Sequence, residues 1–304
     1  MPLSPAVQTP LVRLGNLFPD RRVYAKCEFL APSGCFKIRG AAHLLDRLTR
    51  EGRRPPLVVP SMGNTALGAA VGAREFGFAM VGVVPQTIGR AKDEKLQALG
   101  VELLKIAGGG SELLRRATEV ARERGGYFVH PHLDSLWTDG YQGIVEEIFQ
   151  GLPDCRSLVF PVGGGGLLMG LTEYLSRRPA RVRLFGCEAH NYPTYARFSH
   201  PRAPTIADGL VLDEPHPKVR QRIDELGIEI HLVGEDEIRS AMAALFARQG
   251  WVVEPSSAVT TAFVAAHADE LEDPVCVVLT GENIAREDLY RLIAAAPGPE
   301  ARGR

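Results

Sequence analysis

The chain predicts an α/β fold with helices on both faces of a largely parallel sheet. Short apolar runs of strand length alternate with segments of helical period from one end to the other. Glycine or proline punctuates the joins, as in Pro85-Gln86-Thr87 and Gly108-Gly109-Gly110. Strand then helix, repeated, is the pattern of parallel strands linked by crossover helices. At 304 residues the chain is long enough for two subdomains around buried cores.

Taken in order, strands are predicted at 22–28, 56–61, 79–85, 102–106, 157–163, 183–188, 229–233 and 274–280. Helices are predicted at 38–49, 65–76, 91–99, 111–124, 142–149, 167–176, 235–249 and 257–268. The polar, turn-rich stretches at 50–56 and 134–140 are where a boundary between subdomains would fall.

Composition narrows the function classes. The hydrophobic share of 45% and the charged share of 23% are those of an ordinary globular protein. A net charge of −1 offers no footprint for nucleic acid or an anionic membrane. No apolar run reaches the roughly 18 residues that span a bilayer, and the N-terminus lacks a signal-peptide pattern. The five cysteines (Cys27, Cys35, Cys155, Cys187, Cys276) are odd in number and show no C-x-x-C spacing. That usage suits reduced thiols in the cytoplasm, not a disulfide framework or a zinc site.

Four segments carry chemistry. Lys37 lies between Phe36 and Ile38, just after the turn-forming Pro32-Ser33-Gly34. Taken alone it opens an amphipathic helix, because a lysine is seldom buried. The sharper reading is a desolvated amine that forms a Schiff base with pyridoxal phosphate (PLP) or with a carbonyl substrate. Further on, an apolar strand runs into Gly163, Gly164, Gly165 and Gly166 and then into a helix that starts with Leu167. Amides without β-carbons can turn inward on a phosphate, and a helix N-terminus favours an anion. A tight strand–helix turn is the plainer alternative. A dinucleotide fingerprint fits less well, since Glu188 is the nearest acidic residue and lies out of the expected register.

Ser61-Met62-Gly63-Asn64-Thr65 stands at another strand-to-helix join. Its hydroxyl, amide and helix-start donors suit a carboxylate, or simply cap the helix. Near the end, an apolar strand stops at Thr280-Gly281-Glu282-Asn283, which reads as a hydroxyl donor or a plain turn. Gly108 to Gly110 read as a turn, with Ser111 as the N-cap of the next helix. His130-x-His132 has no third ligand in sight and reads as structural or exposed.

In this order, Lys37, Ser61 to Thr65, Gly163 to Gly166 and Thr280 resemble the fold-type II PLP enzymes, the tryptophan-synthase-β-like superfamily. The resemblance runs from Thr9-Pro-Leu-Val-Arg-Leu through Lys26-Cys-Glu to the Thr-Gly-Glu-Asn segment. Within the superfamily, the threonine/serine dehydratase branch is the most similar. Gly140-Tyr-Gln-Gly143, Ile206-Ala-Asp-Gly-Leu210 and Glu254-Pro-Ser-Ser-Ala258 carry that likeness.

The resemblance implies two open, mostly parallel sheets flanked by helices, with the cofactor between a large and a small domain. Residues 1–50 with 138–304 would form the discontinuous PLP-binding domain, and 55–134 the small domain that receives the substrate carboxylate. It also implies a homodimer without a C-terminal regulatory domain. Lys37 would be the catalytic lysine that holds PLP, with Phe36 beside the ring and Asn64 on the ring hydroxyl. Gly163, Gly164, Gly165, Gly166 and Leu167 would bind the phosphate, and Thr280 would face the pyridine nitrogen. Ser61, Gly63, Asn64 and Thr65 would receive the carboxylate. No metal is expected: relatives that bind a cation use a glutamate and an aspartate six residues later, and here Glu188 is followed by Thr194.

The implied activity is β-elimination, an ammonia-lyase reaction on a small L-amino acid such as serine or threonine. A hydroxyl facing the pyridine nitrogen does not enforce ring protonation, so expulsion of a β-substituent competes well with transamination. Some positions depart from the branch. Met62 stands where racemases carry a serine, and a thioether cannot transfer a proton. Thr65 stands where dehydratases usually have histidine, and Cys35 where serine is common before Phe-Lys. Thr65 is similar to threonine-synthase and cysteine-synthase relatives and Thr280-Gly281 to threonine synthases, so a β-replacement synthase is the alternative. A catalytically silent PLP- or amino-acid-binding homologue is the alternative of another class.

Overall fold

The computed structural model describes residues 7–61, 63–130, 132–196 and 202–297. The first third of the chain forms β1 (Leu11–Arg13), β2 (Val23–Cys27), α1 (Lys37–Arg50), β3 (Leu57–Pro60), α2 (Asn64–Phe76), β4 (Met80–Pro85) and α3 (Arg90–Ala98). Next come β5 (Glu102–Ile106), α4 (Gly110–Arg124), β6 (Tyr127–Phe128), α5 (Ser135–Thr138), α6 (Gln142–Gly151), β7 (Ser157–Pro161) and α7 (Gly166–Arg177). The last third holds β8 (Arg183–Ala189), α8 (Pro217–Leu226), β9 (Glu229–Val233), α9 (Glu235–Gln249), α10 (Pro255–Ala266), β10 (Val275–Leu279) and α11 (Arg286–Ala294).

The strands form two sheets. One has six strands in the order β1-β2-β10-β7-β8-β9, and the other has four in the order β5-β4-β3-β6. Every pairing is parallel except that of β1 with β2. β10 slots between β2 and β7, with Val277 opposite Ala25 on one side and Val159 on the other. A strand covered on both faces needs no polar alternation, which is why Val-Cys-Val-Val-Leu is apolar and buried throughout. One hydrophobic core is shared between the sheets, and each sheet packs a second layer on its far face.

α1 lies between the sheets and packs on α2 with very little clearance. A β-carbon on Gly68 would sit 2.7 Å from Lys37 Cβ, so only glycine lets α2 cross the first turn of α1. On its other side α1 passes the Gly140 segment, where a β-carbon would lie 2.3 Å from Arg39 O. Beneath that turn runs a buried ion network. Arg39 grips Glu28 through Nε and Nη2 at 2.7 and 2.8 Å and Glu147 through Nη1 at 2.7 Å, while Lys26 Nζ reaches Glu147 at 2.6 Å. Two cations face two carboxylates, so no buried charge is left unpaired.

All eight predicted strands and eight predicted helices are present, with ends shifted by a few residues. α10 starts at Pro255, whose fixed φ suits a first helical position. β1, β6, α5, α8 and α11 add to the predicted set. β1 and β6 are three and two residues long, too short for a period to show. α8 is bounded by Pro217 and by Gly227 at φ 59°, start and stop signals present in the sequence without a strong apolar stripe between them.

Candidate active site

The C-terminal ends of β3, β7 and β10 point at one cavity of about 540 Å³ between the sheets. That volume suits a cofactor together with a small substrate. Lys37, Phe36, Ser61, Gly63, Asn64, Thr65, the four glycines from Gly163 to Gly166, Leu167 and Thr280 all line it. The structure therefore brings every expected site residue to one place.

Lys37 is the first residue of α1, and its strand-side anchor is the amide of Phe36 donating to Thr280 O at 3.0 Å. Its Nζ has no hydrogen-bond partner among the described residues and lies 4.6 Å from the Phe36 ring centroid and 5.6 Å from that of Tyr141. Burial in this aromatic corner lowers its pKa to about 8, against the opposing pull of Cys35 and Glu254. A lysine amine that gives up its proton this readily is a nucleophile and base near neutral pH. Cys35, buried beside it, is pushed up to about 11 by burial, so it packs as a neutral thiol.

The Ser61 turn is a capping device with spare donors. Ser61 Oγ accepts from the amides of Gly63 and Ala66 at 3.0 and 3.2 Å, which among the described residues leaves its own proton and the amides of Asn64 and Thr65 for a ligand. Gly63 thus contributes space: Lys92 Nζ sits 3.0 Å from where its β-carbon would be. The Asn64 side chain is fixed at both ends. Its Oδ1 accepts from Asn283 Nδ2 at 2.9 Å, and its Nδ2 donates to Glu254 at 2.6 Å. An amide nitrogen has two protons, so one remains beyond the bond to Glu254. Met62 lies outside the described residues.

The glycine loop is built for close approach. β-Carbons on Gly163, Gly164 and Gly165 would meet Gly209 O at 2.9 Å, the His132 ring at 2.2 Å and Val219 at 2.5 Å. Gly165 has φ +84°, which orients the entry to α7. The Met169 amide is the first in α7 to bond a helical carbonyl, that of Gly165 at 2.9 Å. The amides before it form an open donor set at a helix start, which fits a phosphate. On the far wall, Thr280 is 4% exposed, and its hydroxyl has no partner among the described residues.

Several lining residues could not be foreseen. Glu254, just before α10, is buried, and burial, then Asp208, raises its pKa to about 7. Its carboxylate occupies the space a β-carbon on Gly281 would need, at 2.5 Å, which explains the glycine after Thr280. Gly110 and Ser111 line the cavity, so that stretch is more than a turn; α4 begins at Gly110, without a serine cap. The histidine pair does acquire a third member: His216, from the start of α8, lies 5.6 Å from His130 and 5.5 Å from His132 between ring centroids. Glu188 has another use. It accepts from the amides of Thr194, Tyr195 and Ala196 at 2.8 to 3.1 Å and so closes the turn after β8.

Two parallel sheets that share a cleft, with a depressed-pKa lysine and an open-amide glycine loop inside it, define a class: enzymes that condense an amine with a phosphorylated carbonyl cofactor. The chain belongs to the pyridoxal-phosphate dependent enzymes, whose family model matches residues 3–281. Its cofactor is pyridoxal 5'-phosphate. It is 32% identical over 278 residues to an L-threonine ammonia-lyase of Thermotoga maritima, covering 89% of this chain and 69% of that protein. Its fold matches a threonine deaminase of Solanum lycopersicum with a TM-score of 0.85 at 24% identity, over 94% of this chain and 87% of the other. It also matches a fungal L-serine ammonia-lyase of Rhizomucor miehei with a TM-score of 0.84 at 23% identity, over 96% and 99%.

Proposed function

We propose that this protein is an ammonia-lyase that uses PLP to eliminate the β-hydroxyl of L-serine or L-threonine, yielding a 2-keto acid and ammonia. The observation that carries the reading is the position of Lys37, whose amine, unpartnered among the described residues, lines a cavity with carboxylate donors on one wall and phosphate donors on another. The named ammonia-lyase relative supports the same reaction. Bound PLP supplies an electrophilic carbonyl carbon and a sink for the electron pair left at the substrate's α-carbon. Gly163 to Gly166 and Leu167 would hold its phosphate by main-chain amides, and Phe36 would stand beside its ring. The second Asn64 Nδ2 proton would serve the ring hydroxyl, and the Thr280 hydroxyl would serve the ring nitrogen. Ser61, Asn64 and Thr65 fix the substrate carboxylate, with Gly63 leaving room for it. Lys37 would hold the cofactor through its amine and, as the unprotonated base, would take the substrate's α-proton. The β-hydroxyl would leave with a proton as water, and a second water would hydrolyse the released enamine to the 2-keto acid and ammonia.

The reading carries with it a cytoplasmic homodimer acting on free amino acids, with 55–134 as the small domain and no nucleic-acid or membrane partner. Among the described residues, no helix is long and apolar enough to cross a membrane. The test is to incubate the PLP-loaded protein with serine, threonine or O-acetylserine, with and without sulfide. Keto acid and ammonia formed from serine or threonine without sulfide support the lyase. Product from O-acetylserine only when sulfide is present identifies a synthase. A yellow protein that turns over none of them is a binding homologue. Lys37→Ala abolishes the colour and the reaction together.

A further inference from the structure

The cradle that main-chain amides form around Gly163 to Gly166 has side chains at its rim that the reaction does not use. His132 lies against Gly164 so tightly that a β-carbon there would be 2.2 Å from its Cε1 and Nδ1. His216 stands opposite, with ring centroids 5.5 Å apart, and both rings line the cavity. His216 Nε2 is buried without a hydrogen-bond partner, a costly state for a polar atom unless a ligand completes it. His132 likewise has no side-chain hydrogen bond among the described residues. His130 backs the pair: its Nδ1 accepts from the amides of His132 and Leu133 at 3.3 and 3.2 Å, which fixes the turn that presents His132.

We propose that His132 and His216 form the side-chain half of the phosphate cradle and donate N–H groups to the 5'-phosphate of the cofactor. Main-chain amides reach the phosphate from the helix start, and the two imidazoles reach it from the turn after β6 and the start of α8. The occupant is an oxyanion because the glycine loop presents donors to the same space. Burial keeps both rings neutral, and the Lys37 charge pushes His132 the same way. A neutral imidazole still has one N–H to donate. The inference rests on the PLP assignment, and the two fail separately: colour that depends on Lys37 tests the cofactor, whereas the following comparison tests the histidines.

The experiment titrates the apoprotein with PLP and, in parallel, with pyridoxal, which lacks the phosphate. His132→Phe and His216→Phe keep a ring and remove the donor. Each is expected to raise the dissociation constant for PLP roughly tenfold, the scale of one lost hydrogen bond to a charged group, and to leave that for pyridoxal unchanged. His132→Gln, which retains an N–H, should lose less. In the wild-type protein, PLP and inorganic phosphate should both protect the two histidines from diethylpyrocarbonate, and pyridoxal should not. Unchanged PLP affinity in both variants overturns the proposal, as does equal weakening toward pyridoxal or equal protection by it. Unaltered PLP affinity with weakened binding of O-phosphoserine alone would assign the pair to a substrate phosphate and overturn the assignment to the cofactor.

Discussion

The Asn64 side chain donates to the buried carboxylate of Glu254 at 2.6 Å, tying the first residue of α2 to the residue that precedes α10. This bond crosses the cleft from the side that holds the carboxylate donors to the side that carries the six-stranded sheet. With the bond from Asn283 to Asn64 Oδ1, it fixes the orientation of the Asn64 amide.

Replacing Glu254 should change how stability depends on pH. Burial, then Asp208, raises its pKa from the usual carboxylate value to about 7, so the folded protein holds that proton more tightly than the unfolded chain. The stabilisation is complete below the unfolded pKa and is lost as pH rises through about 7. Glu254→Gln does not titrate and can still accept from Asn64. Its unfolding free energy, from denaturant melts, should therefore gain on the wild type between about pH 5 and pH 8, by up to roughly 3 kcal/mol. A difference that stays flat across that range would refute this account of Glu254.

Capture of PLP by the apoprotein should follow the ionisation of Lys37. Burial lowers its pKa to about 8, and only the unprotonated amine attacks a carbonyl. The observed rate should climb about tenfold per pH unit below that value and level off above it. Stopped-flow absorbance across the pH series reads this directly; a climb that continues to about pH 10 would show an ordinary solvated lysine.

Gly68→Ala should damage the site without touching a ligand. Its β-carbon would press on Lys37 Cβ at 2.7 Å and on the Lys37 carbonyl carbon at 2.8 Å. Overpacking of this kind costs about 1–3 kcal/mol, and here the first turn of α1 must move to relieve it. We expect lower stability together with a weaker hold on PLP. Gly15→Ala, where a β-carbon meets nothing within 4 Å, is the control and should behave as wild type.

Arg39→Met should be among the most destabilising single changes. It leaves Glu28 and Glu147 with Lys26 alone, one uncompensated negative charge in a buried place. A loss of about 3–5 kcal/mol is expected in denaturant melts. Arg39→Met combined with Glu28→Gln removes one charge of each sign and should recover part of that loss.

Much of this molecule could be read from the chain before any coordinates. The alternation of strand and helix, the lysine after Gly34 and the run of four glycines are local signals, and each lies where local chemistry puts it. The pairing order of the sheets was not legible, because β10 comes to lie beside β2 from the opposite end of the chain. Nor were Glu254 and His216 legible as pocket residues, since nothing near them in sequence mentions a ligand. The hint for Glu254 was Gly281, whose missing side chain is filled by its carboxylate only after folding.

The sequence by itself determined the class of fold, the lysine at the start of α1 and the glycine loop before α7, because strand, helix start and glycine turn are decided by neighbours along the chain. Only the tertiary structure decided the lowered pKa of that lysine, the orientation of Asn64 and the packing of His132 on Gly164 with His130 and His216 beside it. Burial and charge act through space, and a pKa or a donor's direction is set by groups that the chain separates and the fold brings together.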